Sequence, residues 1–104
     1  MTPLKTTFRR DSIDFRQIRR EGRAAVYELT KPIWSTVRYE TVVILHHKGR
    51  RVGGPSGVDL PPSEGYPSTN QWGRLGWSYP EKSAALAKFR ELVDKQAKRD
   101  AKGD

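Results

Sequence analysis

The sequence predicts an α+β fold, a small antiparallel sheet carrying one C-terminal amphipathic helix. Three observations predict it. In TVRYETVVILHHK, Val37, Tyr39, Thr41, Val43 and Leu45 share one face at period two, and Val42 and Ile44 make the other face apolar. In SYPEKSAALAKFRELVDKQAKRD, Ala85, Leu86, Phe89, Leu92, Val93 and Gln96 fall close to one helical face. A chain of 104 residues with 10% aromatics has material for one domain and one modest core.

Residues 1–23 read as a basic N-terminal arm, flexible or forming a short helix. Within it DSIDFRQIRREGR offers Asp11 or Ser12 as N-cap, Ile13, Phe15 and Ile18 as apolar positions, and Gly22 as a stop. Residues 24–97 form the domain proper. A strand over 24–30 puts Ala25, Tyr27 and Leu29 on one face and ends before Pro32. As an exposed edge it could pair between chains, so a monomer or a weak dimer is expected. The strand at 37–47, apolar on both sides, should be central or covered by a helix.

Lys48-Gly49-Arg50 then reads as a tight turn. In 53–70, GGPSGVDLPPSEGYPSTN, eleven of eighteen positions are Gly, Pro or Ser, which predicts a long loop without regular structure. Trp77–Tyr79 should form a strand paired with 37–47 and run into the helix. Ser78 and Glu81 fit a capping box there, although Pro80 restricts Tyr79. Glu91–Lys95 and Asp94–Lys98 are i,i+4 pairs, and Lys88, Lys95, Lys98 and Arg99 take the wet face. Residues 98–104 read as a charged tail.

The formal net charge is +8, a field suited to phosphate-rich polymers or acidic proteins. The absence of cysteine excludes a disulfide scaffold, a thiolate nucleophile and a cysteine zinc site. No segment has the length of apolar sequence that crosses a bilayer, so no membrane partner is expected. MTPLKTTFRR has no apolar run of the kind export signals carry, which makes the cytoplasm the expected location.

No catalytic constellation emerges, and neither a metal nor a cofactor is expected. Adjacent His46 and His47 point to opposite faces of a strand and cannot chelate one ion together. GGPSG lacks the helix and the Gly-Lys-Ser/Thr ending of a phosphate-cradling loop. Ser56, Ser63 and Ser68 have no nucleophile-elbow context. What remains is basic and aromatic. Arg16, Arg19, Arg20 and Arg23 form one cluster, and His46, His47, Lys48, Arg50 and Arg51 form another. Guanidinium forks match phosphate geometry.

The decapeptide NQWGRLGWSY adds two tryptophans to these charges. Its period assigns Trp77 to the core, beside the helix start. Trp72 and Arg74, at the mouth of the loop, become candidates for stacking on a base and pairing with a phosphate.

Around Trp72, Gly73 and Arg74, followed by Leu75 and Gly76, the sequence resembles the WGR domain. SAALAKFRELVDK resembles that family's helix, and loose coverage runs from about Ala24 to Ala97. The resemblance implies DNA binding near breaks or ends, with Trp72 and Arg74 at the motif positions that contact DNA or a neighbouring domain. The long Pro/Gly approach to Trp72, and the short WSYPEK before the helix, depart from the family pattern.

The expected function is therefore a non-enzymatic nucleic-acid-binding accessory domain, with DNA ahead of RNA. Arg16, Arg19, Arg20, Arg23, Lys48, Arg50, Arg51, Trp72 and Arg74 are the binding residues. The alternative is a protein-interaction module that docks an acidic partner through its aromatic loop.

Overall fold

The computed structural model describes residues 2–102 of the chain. It is a small α+β domain, an antiparallel five-stranded sheet with one C-terminal helix. Strands β1 (Thr7–Arg10), β2 (Ile13–Glu21), β3 (Ala24–Thr30) and β4 (Arg38–Val43) form a meander. Strand β9 (Gly76–Tyr79) pairs with β4, giving the order β1-β2-β3-β4-β9. The strand expected at 24–30 has those bounds, but it is central rather than an edge. The pairing between chains proposed for it is therefore blocked by its neighbours.

The stretch expected to be a flexible arm or a short helix is instead the β1–β2 hairpin. Asp11 and Ser12 do not cap a helix. They are its two turn residues, with φ 53° and 65°, the pair of positive values that a twisted two-residue hairpin needs. A bulge between Gln17 and Arg19 breaks the period of two, so Ile18 packs on the helix side of the sheet. Gly22, at φ 59°, opens the β2–β3 turn, and a Cβ there would collide with the Gln96 side chain.

Helix α1 (Lys82–Lys102) covers one face of the sheet. Ala85 and Phe89 pack on Ala24 and Val26, joined by Leu86, Leu92 and Val93, the face that the periodicity predicts. Thr41 Oγ1 donates to the Ala85 carbonyl at 2.7 Å, which satisfies the one buried polar side chain beneath the helix. Ser78 lies within β9 and does not cap α1. The charged tail expected at 98–104 continues α1 to Lys102, and positions 103–104 lie outside the described residues.

The other face needs its own cover, because Phe15, Tyr27, Leu29, Val42 and Ile44 all point there. Part of the segment expected to be an unstructured loop supplies it. Tyr66 meets Phe8, Phe15 and Tyr27 edge-on, with ring centroids 5.6, 5.5 and 5.2 Å away. Its hydroxyl donates to Glu40 Oε1 at 2.6 Å, and Pro67 beside it is fully buried. Burial raises the Tyr66 phenol and the Glu40 carboxyl above their ordinary pKa values, the latter opposed by donors from Tyr66 and Ser78.

The rest of the 53–70 segment is also structured. Strand β5 (Leu45–His47) pairs with β8 (Ser63–Gly65), and β6 (Arg50–Val52) pairs with β7 (Val58–Leu60). Lys48-Gly49-Arg50 is therefore no turn. The chain runs on through it, and the reversal comes at Gly53–Gly57. This ribbon helps to explain a radius of gyration of 15.8 Å, against roughly 13 Å for a compact chain of this length.

Tyr66→Ala should lower unfolding free energy by about 3–5 kcal/mol in a denaturant titration. Tyr66→Phe should cost about 1–2 kcal/mol, because it leaves Glu40 Oε1 without its donor.

Candidate nucleic-acid interface

Two turns meet at one end of the sheet. The Val43 amide donates to the Leu75 carbonyl at 2.8 Å, and the Ile44 amide donates to the Arg23 carbonyl at 2.7 Å. The end of β4 thus grips the Gly22-Arg23 turn on one side and the Gly73-Arg74-Leu75 turn on the other. Gly73 takes φ 86°, and its amide donates to the Gly76 carbonyl at 2.8 Å, which throws Arg74 outward. The Arg23 amide donates to Gln96 Oε1 at 3.1 Å, so α1 fixes the first turn as well.

Between these turns and α1 lies a groove of about 470 Å³. Arg23, Arg74, Lys88, Lys95 and Arg99 line it together with Trp77, and among the described residues no carboxylate does. Lys88 Nζ sits 4.1 Å from the centroid of the Trp77 ring. Lys88 and Lys95 both reach Glu91 at the rim, at 3.1 and 3.4 Å. Arg23, Arg74 and Arg99 make no ion pair among the described residues.

The groove unites only two of the nine residues expected to bind, Arg23 and Arg74. The arginines on β2 make contacts within the fold. Arg16 pairs with Glu28 across the β2–β3 register at 2.9 Å, and Arg19 lies over the Phe89 ring at 5.5 Å. Arg20 clamps both Glu64 oxygens, at 2.8 and 2.7 Å, and ties β2 to the base of the ribbon. Lys48 and Arg50 lie on the ribbon, away from the groove lining, and Arg51 folds back onto the ribbon tip.

Both tryptophans are half-buried, and it is Trp72 rather than Trp77 that packs on a core cluster. Trp72 packs against the loop-side core. Its ring lies so close over Gly76 that a Cβ there would sit 2.4 Å from the indole. Its Nε1 donates to Ser78 Oγ at 3.0 Å, and Ser78 Oγ lies 3.4 Å from Glu40 Oε2. Trp77, opposite Thr41 in the β4–β9 register, faces the helix side and is only half-buried, in the groove. Period two locates Trp77 on a face but does not tell how far α1 reaches over it. Lys88, Lys95 and Arg99 escaped the expected set for a related reason. They are spaced along α1 as a wet face, and only the packing angle turns that face toward Arg23 and Arg74.

Among the described residues no cluster of His, Asp and Glu could hold a metal ion, and no helix is long and apolar enough to cross a membrane. Comparison of the chain with family models, curated proteins and solved structures finds no match.

Glu64 is the most perturbed acid beside these elements. Hydrogen bonds from Arg20 and from the Leu4 amide lower its pKa from 4.5 to about 2. A depressed carboxyl contributes stability that is complete above its unfolded value and is lost as pH falls through the folded one. Unfolding free energy should therefore decline between pH 4.5 and about 2. Arg20→Ala should lower stability at pH 7 by about 1–3 kcal/mol and flatten this part of the decline, as read by denaturant titration at each pH.

Proposed function

We propose that this is a non-enzymatic nucleic-acid-binding accessory domain, with DNA its first target. The observation that carries the reading is the groove of five cations beside a half-buried indole, with no carboxylate in its lining among the described residues. Arginine forks and lysine ammonium groups would contact successive phosphates, and Trp77 would offer a face to a base or a sugar. Arg23 and Arg74 sit on turns fixed by backbone hydrogen bonds, so little loop ordering remains for binding to supply. The Trp72-Gly73-Arg74 resemblance to WGR domains supports the same target. Trp72 would act there by holding the turn that presents Arg74.

Fluorescence anisotropy with single- and double-stranded DNA and RNA tests this. Engaging four or five phosphates on duplex DNA should give a slope near roughly −4 in log K against log salt. The double variant Arg23→Ala/Arg74→Ala should reduce that slope by about 2 while leaving the melting temperature unchanged. Trp77→Leu should weaken single-strand binding by roughly tenfold if a base stacks there. Absence of binding to all four nucleic acids at low salt would show the reading to be wrong.

A further inference from the structure

We infer, resting on the nucleic-acid reading above, that the β6–β7 ribbon is an arm that enters the major groove of duplex DNA. The ribbon carries an apolar face that none of the described residues covers. Arg50 stands opposite Leu60 and Val52 opposite Val58, so these four side chains share one face, with Arg51 and Asp59 on the other. Val52, Val58 and Leu60 are 46%, 67% and 42% exposed, large values for apolar side chains placed next to one another. Arg50 stands among the apolar groups and Lys48 lies at the base, while Asp59, the one acid on β6 and β7, is on the other face paired with Arg51, and Glu64 at the base is held by Arg20.

The tip is built rather than slack. Arg51 donates to the Gly54 and Pro55 carbonyls, both at 3.1 Å, and pairs with Asp59 at 3.3 Å. Gly57 allows the closing turn, since a Cβ there would collide with the Val52 carbonyl oxygen. A braced apolar and basic face suits a partner whose surface combines apolar methyl groups with acceptors and lies between two rows of phosphates. The major groove of B-form DNA is such a surface. Thymine methyl groups can meet Val52 and Val58, and guanine O6 and N7 can accept from Arg50.

The dimensions agree. Two strands about 4.8 Å apart, with their side chains, fit a groove about 12 Å wide. Four residues from Gly49 to Val52 at about 3.3 Å each give a reach of roughly 13 Å before the chain reverses, enough to enter a groove about 8.5 Å deep. The A-form duplex of RNA has a deep, narrow major groove that excludes such a ribbon. The arm thus makes duplex DNA the preferred target, which the α1 groove alone would not do.

The test compares duplex DNA and duplex RNA of one sequence, using the full chain and two variants. One carries Arg50→Gln, Val52→Thr and Val58→Thr, which keep strand propensity. The other joins Arg50 to Leu60 through Asn-Gly. Thermal melting and circular dichroism check that both fold. The wild type should bind duplex DNA roughly tenfold more tightly than duplex RNA and protect guanine N7, which opens on the major groove, from methylation. Both variants should lose the preference and the protection while keeping single-strand binding through the α1 groove.

If the wild type binds no nucleic acid, the domain's proposed function and the arm fall together. If it binds but the variants match its duplex preference and N7 stays reactive, the arm alone is wrong. A concentration-dependent dimer in sedimentation velocity that disappears with Val52→Thr/Val58→Thr would also overturn the arm, by assigning the face to a second copy.

Discussion

A five-stranded sheet with a single helix has one face too many. Helix α1 covers Ala24 and Val26, and the opposite face, with Phe15, Tyr27 and Val42, would lie in water without a second cover. The chain meets this constraint with one aromatic anchor. Tyr66 places its ring among Phe8, Phe15 and Tyr27 and its hydroxyl on Glu40. The polar end of the phenol thus finds an acceptor while the ring displaces water from the core. Trp72 extends the cover and reaches the same carboxylate through Ser78. Sheet, returning segment and final strand are tied at Glu40.

The surface follows from that tie. With Trp72 held over Gly76, the chain must reverse within three residues to enter β9, and the reversal projects Arg74. The Gly22-Arg23 turn, braced by Gln96, comes up on the other side of β4. Neither arginine was brought to the groove by its own interactions. Each is carried there by a turn whose position the core dictates. The same logic sets the ribbon. Glu64 joins β8 to Arg20 on β2 and to the Leu4 amide, so the base of the ribbon is anchored to the sheet while its far end is not.

Those parts of the fold whose residues obey one period were legible in the sequence. Strand β3, residues 38–43 of the strand expected at 37–47 and the apolar face of α1 read directly, as did the pairing of β9 with β4, whereas Leu45–His47 leaves that sheet to pair with β8. The β1–β2 hairpin did not, for two physical reasons. Asp and Ser both cap helices and tolerate the turn conformation they adopt at 11 and 12, so residue type alone does not choose. The bulge then moves Ile18 to the helix side, so that Ile13, Phe15 and Ile18 imitate a helical spacing. The 53–70 segment was opaque because its structure comes from cross-strand pairing and from burial of Tyr66, and neither leaves a periodic trace. Of the candidate site, Arg74 was legible as a turn residue between glycines, and Arg23 only as a member of a basic cluster. The α1 cations opposite them were not, because their meeting depends on how the helix crosses the sheet.

The same separation applies to the basic residues taken one at a time. Arg16, Arg20 and Arg51 each have an acid within reach across a strand register or at the base of the ribbon, and each is used there. A guanidinium with five donors engages a nearby carboxylate or carbonyl whenever the backbone brings one within range, and it is then held in the fold. Arg23, Arg74 and Arg99 face a groove lined, among the described residues, by cations, glycine, glutamine and apolar groups. Strand pairing thus gives several of the clustered arginines an acid partner within the fold. In the α1 groove the described cations come from three separate segments, two turns and a helix, which only the packed core brings together.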